Sequence, residues 1–229
     1  MSDGGVHSHI NHLFALLETA KAQGVPHTYV HFFADGRDTL PKSGSGYCQQ
    51  LVDFLKKEEY GSLATIVGRY YAMDRDKRWE RVKIAVDALV KGEGEKGEDG
   101  VKAMNERYES GAKGGKDEMF EPIVVNGDEG RIKGRSISSL SQSRLLNTPF
   151  TDGDTLFFFN YRSDRMREIV TVLGLDDKPM EVDVPKDLVS YFGRDERAAT
   201  HLCGAAHHHY VTLQHFVPFR RRFPSFGHE

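Results

Sequence analysis

The sequence has few cysteines, no long apolar run and no excess of either charge. Its two cysteines, Cys48 and Cys203, lie far apart and supply neither a disulfide framework nor a zinc motif, so a reducing, cytoplasmic setting is expected. No apolar stretch approaches the roughly 20 residues that a membrane-spanning helix needs, and the N-terminus carries no signal-peptide core. A formal net charge of −3 leaves no global basic field, so a nucleic-acid partner is not expected. What remains is 229 residues with 38% hydrophobic content, enough for one large domain or two small ones at roughly 150 residues each.

Apolar periodicity orders these residues. Ile10, Leu13, Phe14, Leu16 and Leu17 fall at helical spacing, with Gly24 and Pro26 beyond them as a stop. A strand is expected over 28–34, a helix over 47–58 stopped by Gly61, a strand over 63–67 and a helix over 77–90 whose inner face is Trp79, Val82, Ala85, Val86 and Leu89. This alternation predicts a layered αβα domain with a mainly parallel sheet. The 91–100 stretch (KGEGEKGEDG) reads as a charged, solvated loop, 102–110 as a helix, and 123–125 as a short strand. Two segments fall outside the pattern. The serine-rich stretch 134–150 is weakly patterned, and from about 189 the chain loses amphipathic period while collecting histidine, arginine and phenylalanine.

Three of the apolar strands run into loops rich in arginine and aspartate. Residues 28–34 end in Asp35-Gly-Arg37-Asp38, 64–67 in Gly68-Arg69 with Asp74-Arg75-Asp76 beyond, and 155–159 in Asn160-Tyr-Arg162-Ser-Asp164-Arg165. Ligands of open α/β sheets bind beyond the carboxyl ends of the strands. Arg37, Arg69, Arg75, Arg162 and Arg165 at one such crevice would suit a small, multiply anionic molecule, because guanidinium forks bond carboxylate and phosphate bidentately. The bland alternative is surface pairing with nearby aspartates, and the recurrence of the design at three strand ends argues against it. Asp38 is the candidate general base or acid; orienting Arg37 is its structural alternative. Asp74 and Asp76 are read as caps for the helix at Lys77, Asp164 as structural, and Tyr70 and Tyr71 as packing or crevice wall.

Gly4 and Gly5 permit a tight turn and close backbone approach, and they place His7 near the positive end of the first helix, where anions bind. His7, His9 and His12 also admit a metal reading, as do His207–His209, but no carboxylate stands at ligand spacing beside either set. The Arg220–Arg222 tripeptide is too short to line a nucleic-acid groove.

The segments SDGGVHSH, FADGRDTLP, GRYYAMDRDKRWER, VNGDEGRI and FFFNYRSDR closely resemble the cofactor-independent phosphoglycerate mutases, isomerases that interconvert 3-phosphoglycerate and 2-phosphoglycerate in glycolysis. The resemblance spans roughly 2–133 and 151–188. It implies a substrate-binding and transfer domain over 1–188, with an atypical insert at 134–150 and a divergent tail, 189–229, expected to be disordered. The strand that precedes SDGG in the family would lie before Met1, so the sheet is expected to be truncated at its first strand. Carried over by motif, the substrate contacts are His7, Arg37, Asp38, Arg69, Arg75, Arg162 and Arg165, with Asp38 moving the glycerate proton. The resemblance also implies two manganese ions (Mn2+) and a phosphoryl-accepting serine, both in a phosphatase-like domain that no part of this sequence resembles, so no metal ligand is assigned here. A monomer binding 2- or 3-phosphoglycerate is expected, without membrane or nucleic-acid partners. The alternative is a non-catalytic phosphometabolite-binding or regulatory protein.

Overall fold

The computed structural model describes residues 1–111, 115–125, 155–174 and 201–204. Its central sheet has four strands in the order β1 (Tyr29–Ala34), β2 (Ser62–Gly68), β4 (Ile123–Val125) and β3 (Glu95–Gly97). β1 and β2 pair in parallel through the crossover helix α2 (Gly44–Glu58), and β3 pairs in parallel with β4. β4 runs antiparallel to β2, so the sheet is mixed but mostly parallel. β5 (Thr155–Phe158) and β6 (His201–Gly204) form a separate parallel pair.

Helices cover both faces of the sheet. The alternation of β1 sends Val30, Phe32 and Ala34 into a core shared with Leu63 and Ile66 of β2, with α1 (Ile10–Ala22), α2 and α5 (Gly100–Glu109). Helical spacing on α1 (Ile10, Leu13, Leu17) and α2 (Cys48, Leu51, Leu55) supplies the covering stripes. Val67 of β2 turns to the other face. There it meets the short helix α3 (Arg69–Ala72), α4 (Trp79–Lys91), β5 and α6 (Arg167–Gly174) in a second core. All five apolar residues expected on the inner face of α4 are buried.

Three expectations change. The 91–100 loop contains β3, which is held by backbone pairing with β4; its exposed residues carry no period-two pattern. α2 starts three residues before Tyr47, at Gly44. Four tail residues, His201–Gly204, are strand rather than the irregular chain expected there, because β5 offers them a parallel ladder. The insert 134–150, most of VNGDEGRI, and the His207–His209 and Arg220–Arg222 tracts lie outside the described residues.

Candidate functional site

Arg69 follows the last residue of β2 and is 3% exposed, so its charge must be met by protein. Its Nη1 donates to Asp35 Oδ1 at 2.5 Å and to Asp38 Oδ2 at 2.6 Å, and its Nη2 to His7 Nε2 at 3.1 Å. Burial opposes the Arg69 charge, but the hydrogen bonds to Asp38 and Asp35 outweigh it and raise its pKa. A guanidinium only donates, so His7 Nε2 accepts and its proton sits on Nδ1. Burial, then the charges of Arg69 and Arg162, lower the His7 pKa and keep the ring neutral, while His7 Nδ1 is buried without a partner.

The chain path that builds this cluster is local. Ser2 and Met1 lie against the end of β1: the Ser2 hydroxyl donates to Asp35 Oδ2 at 2.6 Å and the terminal ammonium to the Phe33 carbonyl at 2.5 Å. Gly5, with φ +67, turns the chain back toward α1. At Gly4 the close approach foreseen for a ligand is made to Asp38 instead, whose carbonyl would lie 3.1 Å from an added Cβ. Asp35 Oδ1 also accepts the backbone N–H groups of Arg37 and Asp38, at 3.3 and 3.1 Å, an Asx turn that fixes the start of the loop. Burial pushes Asp35 up, yet the Ser2 hydroxyl, the Asp38 N–H and Arg69 together hold it below the usual carboxylate range.

The remaining arginines have partners outside this cluster. Arg75 Nη1 and Arg162 Nη2 both donate to Asp164 Oδ2, at 2.7 and 3.2 Å. Burial opposes ionisation of Asp164, but the Arg75 hydrogen bond and the Arg162 charge lower its pKa. Arg165 donates to the Met73 carbonyl at 2.9 Å. Its pKa is lowered by burial first and then by the like charges of Arg69, Arg75 and Arg37, which marks four guanidiniums as electrostatic neighbours. Arg37 reaches Glu118 Oε1 at 3.4 Å. Tyr161 joins the third loop to the first segment, its N–H donating to the His7 carbonyl at 2.9 Å and its hydroxyl to the Gly5 carbonyl. Of the seven residues expected at the site, His7, Asp38 and Arg69 meet one another, while Arg75 and Arg162 share Asp164, Arg37 reaches Glu118 and Arg165 bonds a main-chain carbonyl. Arg75 and Arg162 thus make the pairing with a nearby aspartate that was the bland alternative.

The roles within it differ from expectation in places. Asp38 pairs with Arg69, not with its neighbour Arg37. Asp74 does not cap α4; its Oδ2 accepts the N–H groups of Asp76 and Arg78 at 3.0 and 2.9 Å and shapes the loop before the helix. Asp76 is exposed and pairs with Arg78 at 2.6 Å. Tyr70 and Tyr71 pack edge to face, and Arg81 lies 3.7 Å over the Tyr70 ring. His9 caps α1, its Nδ1 accepting Asn11 N–H at 3.2 Å, while His12 is exposed. Sequence reasoning missed Asp35, Ser2, Glu118 and Tyr161. Asp35 alone had a local signal, an aspartate-glycine pair at a strand end. Among the described residues no group of three or more His, Cys, Asp and Glu is placed to hold an ion. The described residues thus offer no ligand set that fits manganese.

A mostly parallel sheet flanked by helices, with arginine-bearing loops after β1, β2 and β5, defines a layered α/β class. The family model described as BPG-independent PGAM N-terminus matches residues 1–193, and the chain belongs to that family. It is 50% identical over 193 residues to the 2,3-bisphosphoglycerate-independent phosphoglycerate mutase of Onchocerca volvulus, covering 82% of this chain and 33% of that protein. It is 48% identical over 178 residues to the protein of the same description from Bacteroides fragilis, covering 78% of this chain and 31% of that one. The chain spans about one third of the length of the curated relatives it matches. Among solved structures, a Leishmania mexicana phosphoglycerate mutase crystallised at low cobalt concentration superposes with a TM-score of 0.65 at 25% identity, covering 89% of this chain and 33% of that one.

Proposed function

We propose that this chain is the substrate-gripping domain of a phosphoglycerate mutase, holding the glycerate of 2- or 3-phosphoglycerate in the cytoplasm during glycolytic interconversion. The observation that carries the reading is the sharing of buried Arg69 by Asp35, Asp38 and His7, with more exposed arginines on the loops that follow β1, β2 and β5. Arg37, Arg75 and Arg162 have half-exposed side chains, and a substrate carboxylate or phosphate would take the place of their Glu118 and Asp164 partners. The neutral His7 ring has an Nδ1–H to donate.

Of the two carboxylates on Arg69, Asp35 is consumed by its four donors: the Ser2 hydroxyl, Arg69 and two backbone N–H groups. Asp38 is the more open of the pair and engages Arg69 through Oδ2, which leaves it the carboxylate a glycerate hydroxyl can reach. There Asp38 takes the proton of the glycerate hydroxyl as its oxygen bonds the incoming phosphoryl group and that group's bond to its carrier breaks, and gives a proton to the glycerate oxygen that releases a phosphoryl group to the carrier. The phosphoryl acceptor and the metal chemistry of the family fall to a phosphatase-like domain outside these residues.

Calorimetric titration with 3-phosphoglycerate tests the reading. Weak binding is expected, about −4 kcal/mol or millimolar, falling as salt rises. Arg75→Ala should abolish it and Lys57→Ala should leave it unchanged. Absence of binding by the unaltered chain, or full binding by Arg75→Ala, would sink the proposal. Turnover by these 229 residues alone is not expected, because Asp38 moves a proton and accepts no phosphoryl group.

A further inference from the structure

α2 begins without help from its own N-cap residue. Ser43 makes no side-chain bond to the first turn. The missing acceptor comes instead from Asp117, in a 3-10 turn over Asp117–Met119 far along the chain. Asp117 Oδ2 accepts Gly44 N–H at 2.7 Å, and Oδ1 accepts the Tyr108 hydroxyl, which in turn accepts Ser45 N–H at 3.1 Å. The Asp117 backbone N–H donates to the Pro41 carbonyl at 2.9 Å. The loop is wrapped closely about this residue: a Cβ added at Gly36 would lie 2.7 Å from Asp117 Cβ, and one at Gly44 would lie 2.7 Å from Asp117 Oδ1. Asp117 is 0% exposed.

Apart from its carbonyl, which accepts Phe120 N–H at 3.3 Å, Asp117 bonds only to residues of the 36–45 loop and to Tyr108, and that loop includes Arg37 and Asp38. The same short turn also reaches the site twice more. Glu118 Oε1 accepts from Arg37 Nη1, and the Phe120 carbonyl accepts Gly68 N–H at 2.8 Å, one residue before Arg69. Lys116–Phe120 thus ties two of the three strand-end loops to each other.

We propose that Asp117 is a positioning residue for the crevice, fixing the 36–45 loop so that Asp38 meets Arg69 and Arg37 meets Glu118. The role rests on reading the crevice as a phosphoglycerate site. A carboxylate fully out of water is destabilising unless every oxygen is bonded, and here the bonds that satisfy it are the bonds that hold the loop.

Asn at this position keeps the geometry: its carbonyl accepts Gly44 N–H and its amide donates to the Tyr108 oxygen. Asp117→Asn should therefore bind 3-phosphoglycerate within about threefold of the unaltered chain, whereas Asp117→Ala should lose about tenfold, the scale of one charge-assisted contact. A role confined to stability would not distinguish the arginines, so a double-mutant cycle is the deciding measurement. Arg37→Ala should cost less in the Asp117→Ala background than alone, while Arg162→Ala should cost the same in both. Should Asp117→Ala fail to fold, Tyr108→Phe carries the same cycle with a smaller loss. Amide exchange supplies a readout without ligand: the Gly44 N–H should exchange faster in Asp117→Ala or Tyr108→Phe, with Phe32 in β1 unchanged. Unaltered Gly44 exchange, or full additivity with Arg37→Ala, overturns the positioning role. If the unaltered chain binds no phosphoglycerate, the functional reading fails with it, and the exchange result alone decides whether the brace exists.

Discussion

Glu168, on α6, is buried with Oε2 unpartnered, while Oε1 accepts Lys77 N–H at 2.8 Å. Lys77 sits at φ 59, a left-handed conformation that this bond helps to hold. Burial, and after it the nearby Asp74 carboxylate, push the Glu168 pKa from 4.5 up to about 6. The folded state therefore binds this proton more tightly than the unfolded chain. The contribution is fully present below about 4.5 and is lost as pH rises through about 6, on the order of 1–2 kcal/mol. Gln in its place keeps the acceptor for Lys77 and turns an N–H toward Asp74. Glu168→Gln should gain about 1 kcal/mol at pH 7.5 and flatten the slope between pH 5 and 7 in urea unfolding; a loss at both pH values would contradict this. The two carboxylates on Arg69 make a second contrast. Arg69→Ala strands Asp35 in the interior and should cost about 3–5 kcal/mol. Asp38→Asn, at the more open carboxylate, should cost under about 1 kcal/mol while removing the proposed base. Equal costs in denaturant unfolding would erase the distinction between a structural and a working aspartate.

Gly68 joins β2 to α3, and its φ of −65 would suit any residue. Space is what requires glycine: an added Cβ would lie 2.4 Å from the Glu118 carbonyl oxygen and 2.5 Å from Phe120 N, both rigid backbone. Gly68→Ala must push the Lys116–Phe120 turn off the strand end. It should cost at least about 1–3 kcal/mol in urea unfolding and weaken 3-phosphoglycerate binding beyond what stability alone explains. Wild-type stability in this variant would mean that the turn yields freely. What was legible in sequence follows from the same geometry. The elements α1, β1, α2 and α4 bury apolar residues at periodic spacing and β2 is a short apolar run buried on both faces, so their patterns announce them. The strand-end arginines were legible because they follow the ends of β1, β2 and β5 within one short loop each. The brace was not, since its contacts join a three-residue turn to loops far away in sequence and leave no period. β3 was missed because it is held by backbone pairing at a sheet edge, where side chains stay exposed and charged.

The two cores meet at β2, which sends Leu63 and Ile66 to one face and Val67 to the other. Shared backbone between two packed layers predicts that neither unfolds alone, since removing the helices of one face exposes the strand on which the other is built. Each face carries its own reporter. Trp79, the single tryptophan of the sequence, is buried in the α4 and α6 layer. Cys48 is buried in the α1 and α2 layer, and burial pushes its thiol up to about 12, so it reacts only when that layer opens. With Cys203 replaced by Ser, the urea midpoints from Trp79 fluorescence and from Cys48 pulse labelling should coincide. Leu51→Ala, which empties space only in the Cys48 layer, should then lower both midpoints together, by about 2–5 kcal/mol of stability. A Leu51→Ala protein that labels at Cys48 while Trp79 fluorescence stays native would show two units. It would also detach the arginines of β5's loop, on one face, from Asp38 and its brace on the other. Coincident transitions mean instead that the crevice is as stable as the whole sheet that carries it.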